Sequence, residues 1–256
     1  MPTQSPQSIS PKKPILIVFA AGKGTRMQPL TLTKPKPLMD VNGVTLLEKN
    51  IEKFTQAVDK IVIVVGYLGN MIQDHIGTSY NGVPVEYVEQ KNPKGGTLDA
   101  FRTALFYGNK NDTASGYIVT NADDIHEEKR YIQFLNELSK NSQKAVIVAA
   151  KIDDVERLKS LGVVTVDSKN NLIEIIEKPE EFVSNLANVG MYYFPANVRD
   201  IVDKKLNEKT DDEHFITRDL IQPYSLQNQV FVLPTDANWF MISTPQDLEN
   251  ARKNDK

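Results

Sequence analysis

The chain has 256 residues, 40% of them hydrophobic, which is enough to bury one large core, alone or with a small appendage. Its 30 basic and 33 acidic side chains leave a formal charge of -3, which excludes a broad attraction to nucleic acid or anionic membrane and leaves phosphate recognition to local basic clusters. With no cysteine in the sequence, disulfide scaffolds, thiolate metal sites and cysteine nucleophiles fall away together.

Residues 1–14, "MPTQSPQSISPKKP", are polar and proline-rich and lack the apolar centre of a signal peptide. They read as a disordered tail on a cytoplasmic protein, since no later stretch is long and apolar enough to span a bilayer. Apolar runs rich in β-branched residues predict strands at Ile15–Ala20, Ile61–Tyr67, Val83–Gln90, Tyr117–Asp123 and Ala145–Ile152. Between them the spacing turns helical. Over Thr45–Val58 the residues Leu46, Leu47, Ile51, Phe54 and Val58 share one face, and the pattern returns over Thr97–Tyr107 and Tyr131–Lys140. This alternation predicts βαβ units and a mainly parallel sheet, covered on both faces, through about residue 152. Shorter strands follow at Gly162–Asp167, Asn171–Lys178, Ala187–Phe194 and Gln229–Pro234, with helices at Asn197–Leu206, at Glu213–Ile221 and from Pro245. Turn residues at Ser168–Asn171 predict a hairpin, so antiparallel strands are expected to extend the sheet and close a pocket.

One stretch carries most of the chemistry: "FAAGKGTRMQPLTLTKPKPL", Phe19–Leu38. A dinucleotide fingerprint needs a small residue where Met27 stands, and a P-loop needs a longer glycine spacing before its Lys and Ser/Thr. What remains is a strand running into a tight turn from Gly22 to Thr25. Its exposed backbone N–H groups form an anion nest, and Arg26 and Lys36 add full charges, a grip suited to a polyphosphate. Lys34 reads as a solvated neighbour. Asp123 closes the predicted strand "YIVTNAD" at the carboxyl-end crevice of a parallel sheet, where ligands usually bind. Mg²⁺ takes one or two carboxylates together with phosphate oxygens and water, which suits Asp123 as a ligand. Asp124 reads instead as the cap of the helix that follows. His75, His126 and His214 lack metal-ligand spacing and read as structural or solvated, while Trp239 and the aromatics of "MYYF" read as core.

The Phe19–Leu38 stretch resembles the signature of the sugar-1-phosphate nucleotidylyltransferases, AAGxGTR followed after a gap by PK, here Pro35 and Lys36. The resemblance continues at "EQKNPKGGT", "NAD", "LGVV", "EKP", "ANVGMYYF" and "WFMISTP". It implies a three-layer α/β/α, Rossmann-like fold around a mixed, mainly parallel sheet of the nucleotide-diphospho-sugar transferase type. One domain over 15–256 would comprise a nucleotide-binding half, 15–152, and a sugar-phosphate half, 153–256. The implied reaction joins a nucleoside triphosphate to a sugar 1-phosphate and releases pyrophosphate, with Mg²⁺ as cofactor and no nucleic-acid or membrane partner. The sugar phosphate oxygen attacks the α-phosphorus in line, so charge neutralisation and alignment dominate the catalysis. A phosphate monoester is already ionised at neutral pH, so no general base is required.

By the same resemblance Ala20, Ala21, Gly22, Gly24, Thr25 and Arg26 surround the nucleotide. Arg26 would stabilise the departing β- and γ-phosphates, and Lys36 would bridge the α-phosphate and its attacker. Lys178 of "EKP" would hold the sugar phosphate while Glu177 accepts hydrogen bonds from sugar hydroxyls. Gln90 and Gly95, with Gly96 and Thr97 beside them, would read a pyrimidine edge. A Gln amide that donates and accepts at once matches uracil or thymine, which favours UTP or dTTP. Gly162, Asn188, Val189 and Gly190 would line the hexose. Two departures stand out. Ala122 replaces a usual glycine, and Met241 replaces the second metal-binding aspartate, where a thioether cannot serve a hard cation. Either Mg²⁺ rests on Asp123 and the substrate phosphates, the favoured reading, or another acid such as Asp124 or Asp236 fills the gap, or activity is impaired. The other readings are a same-fold enzyme acting on a non-sugar phosphate such as phosphocholine, and a nucleotide-binding regulatory protein without turnover. The chain stops soon after "TPQDLENARKNDK", which leads to the expectation of a single activity with no appended acyltransferase domain.

Overall fold

The computed structural model describes residues 12–92, 94–107, 114–205, 214–227 and 230–254. The first eleven residues of the expected tail, Pro93, Leu206, Glu213 and Gln229 therefore lie outside the described residues. In chain order the strands are β1 (Ile15–Ala20), β2 (Asp40–Val41), β3 (Val44–Thr45), β4 (Lys60–Val65), β5 (Ser79–Tyr80), β6 (Val83–Glu89) and β7 (Gly116–Asn121). They continue with β8 (Asp124–His126), β9 (Ala145–Lys151), β10 (Gly162–Val166), β11 (Leu172–Glu177), β12 (Leu186–Pro195), β13 (Val230–Thr235) and β14 (Trp239–Met241). The α-helices are α1 (Leu46–Glu52), α2 (Gly69–Ile76), α3 (Gly96–Leu105), α4 (Glu128–Asn141), α5 (Val155–Leu158), α6 (Val198–Lys205), α7 (Gln222–Gln227) and α8 (Pro245–Asn254).

β1 lies at the centre, parallel to β4 on one edge and β7 on the other, and β6 continues beyond β4 in the same direction. Its run of Leu16, Ile17 and Val18 is buried on both faces, as a parallel strand sandwiched between helices requires. Alternate residues feed two cores. Leu16, Val18 and Ala20 pack with Leu47, Phe54 and Phe134 on the side of α1, α2 and α4, whereas Ile17 packs with Phe101 and Leu105 of α3 and Val198 of α6. The result is a three-layer α/β/α, Rossmann-like fold around a mixed sheet.

The expected run of parallel strands is interrupted before β9. β12 stands between β7 and β9, antiparallel to both, and β13 runs parallel to β9 beyond it. Along the edge that meets β7, the first part of β12 instead pairs with β10, which forms the expected hairpin with β11. The hairpin turn is fixed by the Asp167 carboxylate, which accepts from the backbone N–H groups of Lys169 and Asn171. β12 is buried along nearly its whole length, which is why it can occupy an interior place rather than an edge. Other boundaries also moved. The predicted strand through Asp123 ends at Asn121, because the chain bends and Asp124–His126 pair with β14. The helix expected over Thr45–Val58 stops at Glu52, its start set by a reciprocal capping box between Thr45 and Glu48. The helix expected to end at Ile221 is a π-helix over Ile216–Ile221 that runs on into α7.

Candidate active site

The glycine-rich turn leaves the carboxyl end of β1 and closes in a 3₁₀ turn over Thr25–Met27, with Met27 N–H donating to the Gly24 carbonyl at 2.9 Å. Gly24 has a φ of 60°, and a Cβ there would stand 3.1 Å from the Thr31 methyl and 3.2 Å from Lys36 Cβ. Glycine is demanded twice over, by the left-handed backbone and by the approach of the lysine. Met27, which broke the dinucleotide pattern, is a buried plug packed with Met39, Leu46, Ile125 and Ile242. It anchors the turn so that Arg26, beside it, projects outward.

A cavity of about 240 Å³ opens over this turn, lined by Ala20, Gly22, Gly24, Thr25, Arg26, Lys36, Asp123 and Ser243, among others. Lys36 is only 8% exposed, and its Nζ donates to Asp123 Oδ2 at 2.5 Å. The exposed Arg26 and the buried Lys36 thus share one pocket. Neither Ala21, at the base of the turn, nor Lys34 is among the residues lining it.

Asp123 sits in the bend after β7, and Asp124 opens β8. Asp124 is not a helix cap: it opens the three-residue strand β8, and Glu127 occupies the cap position before α4. Asp124 is 5% exposed and lies directly across from Met241 in the antiparallel β8–β14 ladder. Burial, and then the charge of Asp123, push its carboxyl up to about 7, with Lys36, Asn121 and Trp239 pulling the other way. The Trp239 indole faces Asp124 yet completes no hydrogen bond among the described residues. Asp236 stands elsewhere, ion-paired with Lys129 at 2.8 Å on a different and larger cavity, so it does not join Asp123.

A second cavity, of about 220 Å³, shares Phe19 with the first. Gly162, Glu177, Asn188, Val189 and Gly190 line it, together with Thr97, Asn121, Asp124, Thr217 and Met241. β12 changes register against β9 between Asn188 and Tyr192, and Gly190 takes a φ of 71° within that bulge. The bulge turns Asn188 toward the cavity, where its amide donates to the Tyr192 hydroxyl at 2.8 Å. A Cβ on Gly190 would run into the Asn121 amide. Glu177 lies over Gly162, where a Cβ would come within 3.1 Å of both carboxylate oxygens, and accepts from Thr217 Oγ1 at 2.7 Å.

Two expectations change here. Lys178 lines neither cavity: it is exposed, with a φ of 50° set as its N–H turns back to the Leu161 carbonyl, so it does not share the pocket of Arg26 and Lys36. Gln90 does not offer a free donor, because its Nε2 already gives hydrogen bonds to the Gly96 carbonyl at 2.9 Å and Asp99 Oδ2 at 3.1 Å. With both neighbours acceptors, its amide nitrogen must face them, which leaves its oxygen as the acceptor. Gly95 holds the place beside it, where a Cβ would collide with Asp99, and Gly96 turns the chain into α3 with a φ of 70°. Reasoning from sequence missed Thr217 and Ser243. A polar residue in place of glycine in "ISTP" could have flagged Ser243, whereas nothing local marks Thr217.

A strand-to-turn anion nest at the mouth of a parallel sheet, with an exposed arginine, a buried lysine and a carboxylate, marks an α/β protein that handles phosphate groups. Across residues 15–256 the chain matches the family described as Nucleotidyl transferase. It belongs to that family, of which sugar-1-phosphate nucleotidyltransferases are members. A relative named Bifunctional protein GlmU, from Methanococcus aeolicus, is 30% identical over 235 residues, 92% of this chain and 53% of its own. UTP--glucose-1-phosphate uridylyltransferase AglF of Haloferax volcanii is 31% identical over 179 residues, 70% of each chain. The chain spans about half the length of the GlmU relatives it matches. A solved structure described as UDP-glucose pyrophosphorylase complexed with UDP-glucose superposes with a TM-score of 0.79 at 21% identity, covering 94% of this chain and 98% of that one. That likeness bears on the fold. No helix among the described residues is long and apolar enough to cross a membrane.

Proposed function

We propose that this protein transfers a nucleoside monophosphate from a nucleoside triphosphate to a sugar 1-phosphate, releasing pyrophosphate, and that it does so in the cytoplasm. The observation that carries the reading is the pair of adjoining cavities. One is walled by the anion nest, Arg26 and Lys36, the other by Glu177, Asn188 and the glycines of β10 and β12, and Asp123 and Asp124 stand where they meet. The names of the relatives, a glucose-1-phosphate uridylyltransferase among them, support the same reaction class.

An ionised oxygen of the sugar phosphate attacks the α-phosphorus, the bond to the bridging oxygen breaks, and pyrophosphate departs with that electron pair. The backbone N–H groups of the Gly22–Thr25 turn and Arg26 take up the charge on the leaving phosphates. Lys36, buried and held by Asp123, aligns the α-phosphate with its attacker. Lys178, exposed and next in the chain to Glu177, is the cation assigned to the sugar phosphate. UTP or dTTP is the favoured donor, because the free oxygen of Gln90 accepts the N3–H of uracil or thymine.

The donor set fits Mg²⁺: Asp123 offers hard carboxylate oxygen, and Asp124 adds a second carboxylate on the same cavity wall as Met241, which offers none. When bound, the ion would neutralise phosphate charge and hold the triphosphate in line. The substitution at Met241 also motivates the second reading, a nucleotide-binding regulatory protein without turnover. A screen of pyrophosphate release, with each nucleoside triphosphate against a panel of sugar 1-phosphates and phosphocholine, separates them. Release with a sugar 1-phosphate supports the enzyme, release only with phosphocholine redirects it, and UTP binding without release supports the regulator.

A further inference from the structure

Glu177 ends β11, the outermost strand beside β10, where a long carboxylate would ordinarily sample several rotamers in solvent. Here it does not hang free. Thr217, 4% exposed in the first turn of the π-helix, donates its hydroxyl to Glu177 Oε1 at 2.7 Å. The neighbouring Ile216 N–H donates to Thr97 Oγ1 at 3.0 Å, and Leu98 N–H donates to the His214 carbonyl at 3.0 Å. The segment from His214 to Thr217 is therefore fastened at one end to the start of α3, directly after the Gly96 carbonyl that orients Gln90, and at the other to Glu177.

We infer that Thr217 is a positioning residue whose hydroxyl fixes the Glu177 carboxylate for a sugar, and that through Ile216 and Thr97 it couples this carboxylate to the nucleotide-side loop. The inference rests on the function proposed above and adds what sets Glu177 in place. An ionised carboxylate can only accept, so the hydrogen bond has one sense, from Thr217 to Glu177. With Oε1 engaged there, Oε2 remains for a ligand hydroxyl. Gly162 completes the arrangement by leaving a bed on which the carboxylate lies. The π-helix belongs to the same device. A π-helical turn is rare and frequently found at functional sites, and this one begins at the residue pair that makes both contacts. Loading of the nucleotide loop would bear on Thr97, and through Ile216 on the pose of Thr217.

The test compares wild-type protein with Thr217→Val, which keeps the shape and removes the hydroxyl, with Thr217→Ser, which restores it, and with Thr97→Val. Steady-state constants for both substrates are measured, together with UDP-glucose binding followed by the fluorescence of Trp239, the one tryptophan in the chain. Thr217→Val is expected to raise the sugar 1-phosphate KM and the UDP-glucose Kd about tenfold, the scale of a lost hydrogen bond to a charged group, with kcat and the nucleoside triphosphate KM nearly unchanged. Thr217→Ser should return both to the wild-type range. Thr97→Val should weaken sugar 1-phosphate binding at saturating nucleotide more than in its absence. A Thr217→Val protein that matches wild type, or that loses both substrates equally and is not rescued by serine, overturns the inference. A wild type that neither turns over nor binds these ligands overturns the functional reading, and the inference with it.

Discussion

Met241 and Asp124 face each other across the β8–β14 ladder, so their side chains leave the same face of the ribbon and line the same cavity. Directly opposed residues in an antiparallel pair have Cβ atoms about 5 Å apart. A carboxylate absent from one strand is therefore present on its neighbour. This relationship predicts that metal affinity is shared by adjacent acids of one segment. In Mn²⁺ titrations followed by electron paramagnetic resonance with UTP present, Asp123→Asn should lose most of the binding and Asp124→Asn about tenfold, the scale on which carboxylates around a metal act. Met241→Asp in the Asp124→Asn background should recover it. Unchanged Mn²⁺ binding in Asp124→Asn would remove Asp124 from the site.

Arg26 and Lys36 share a cavity while Lys178 stands outside it, so their variants should fail differently. Arg26→Ala is expected to harm turnover most, and Lys36→Ala to follow, with kcat reduced about a hundredfold or more, as for other preorganised charge stabilisers. Lys178→Ala should raise the sugar 1-phosphate KM and spare nucleotide binding. A Lys178→Ala protein that loses only nucleotide affinity would contradict this assignment.

Gly24 carries both a left-handed backbone and a close lysine. Gly24→Ala should therefore cost about 1–2 kcal/mol in urea unfolding from the backbone alone. It should also lower kcat by displacing Lys36. A variant as stable and as active as wild type would show that the turn tolerates a side chain.

His126 gives the clearest dependence on pH. Its ring is buried, and burial together with the neighbouring Arg130 guanidinium holds its pKa well below the usual value, while Nδ1 accepts from Arg130 at 2.8 Å. His126 also lines a cavity whose charged walls are Lys49, Glu52, Lys53, Glu127 and Glu128. The folded state keeps the ring neutral and the unfolded chain protonates it near 6.5, so this contribution is full above that pH and is lost as pH falls below it. Asp124 acts in the opposite sense. Its raised pKa lets the folded state take up a proton near 7, which favours folding as pH falls toward 4. The difference between wild type and His126→Asn isolates the histidine. Between pH 7 and 5.5 wild type should lose stability relative to the variant, at up to about 1.4 kcal/mol per pH unit in denaturant titrations. A parallel pair of curves would refute this.

The parts of the site that could be read from sequence are those built from neighbours in the chain. The Gly22–Thr25 nest, Arg26 and Lys36 lie within one local excursion from β1, and their residue types constrain their geometry directly. Asp124 was misread because its surroundings are set by β14, far along the chain, and a single residue beyond a strand looks like a cap until the pairing partner is known. That Lys178 lines neither cavity was hidden for a similar reason, since its left-handed backbone is invisible in "EKP". The donor side of Gln90 is taken by Asp99, a helix residue whose identity says nothing of its direction. Thr217 gave no signal, since a π-helix has no simple periodicity and the acceptor of its hydroxyl lies on another strand. The central strands were legible because continuous β-branched runs fit burial on both faces, but their order was not, because nothing in β12 announces which two strands it separates.

That insertion of β12 bears on how the protein comes into being. A nascent chain that has emerged only as far as β9 holds β7 and β9 with raw edges facing an empty slot, and neither can be completed until Leu186–Pro195 leaves the ribosome. The glycine-rich turn is made early in synthesis, yet the slab on which it rests is welded shut only by a segment translated much later. A fragment cut near residue 152 is thus a half-built sheet that invites aggregation rather than a free-standing nucleotide module.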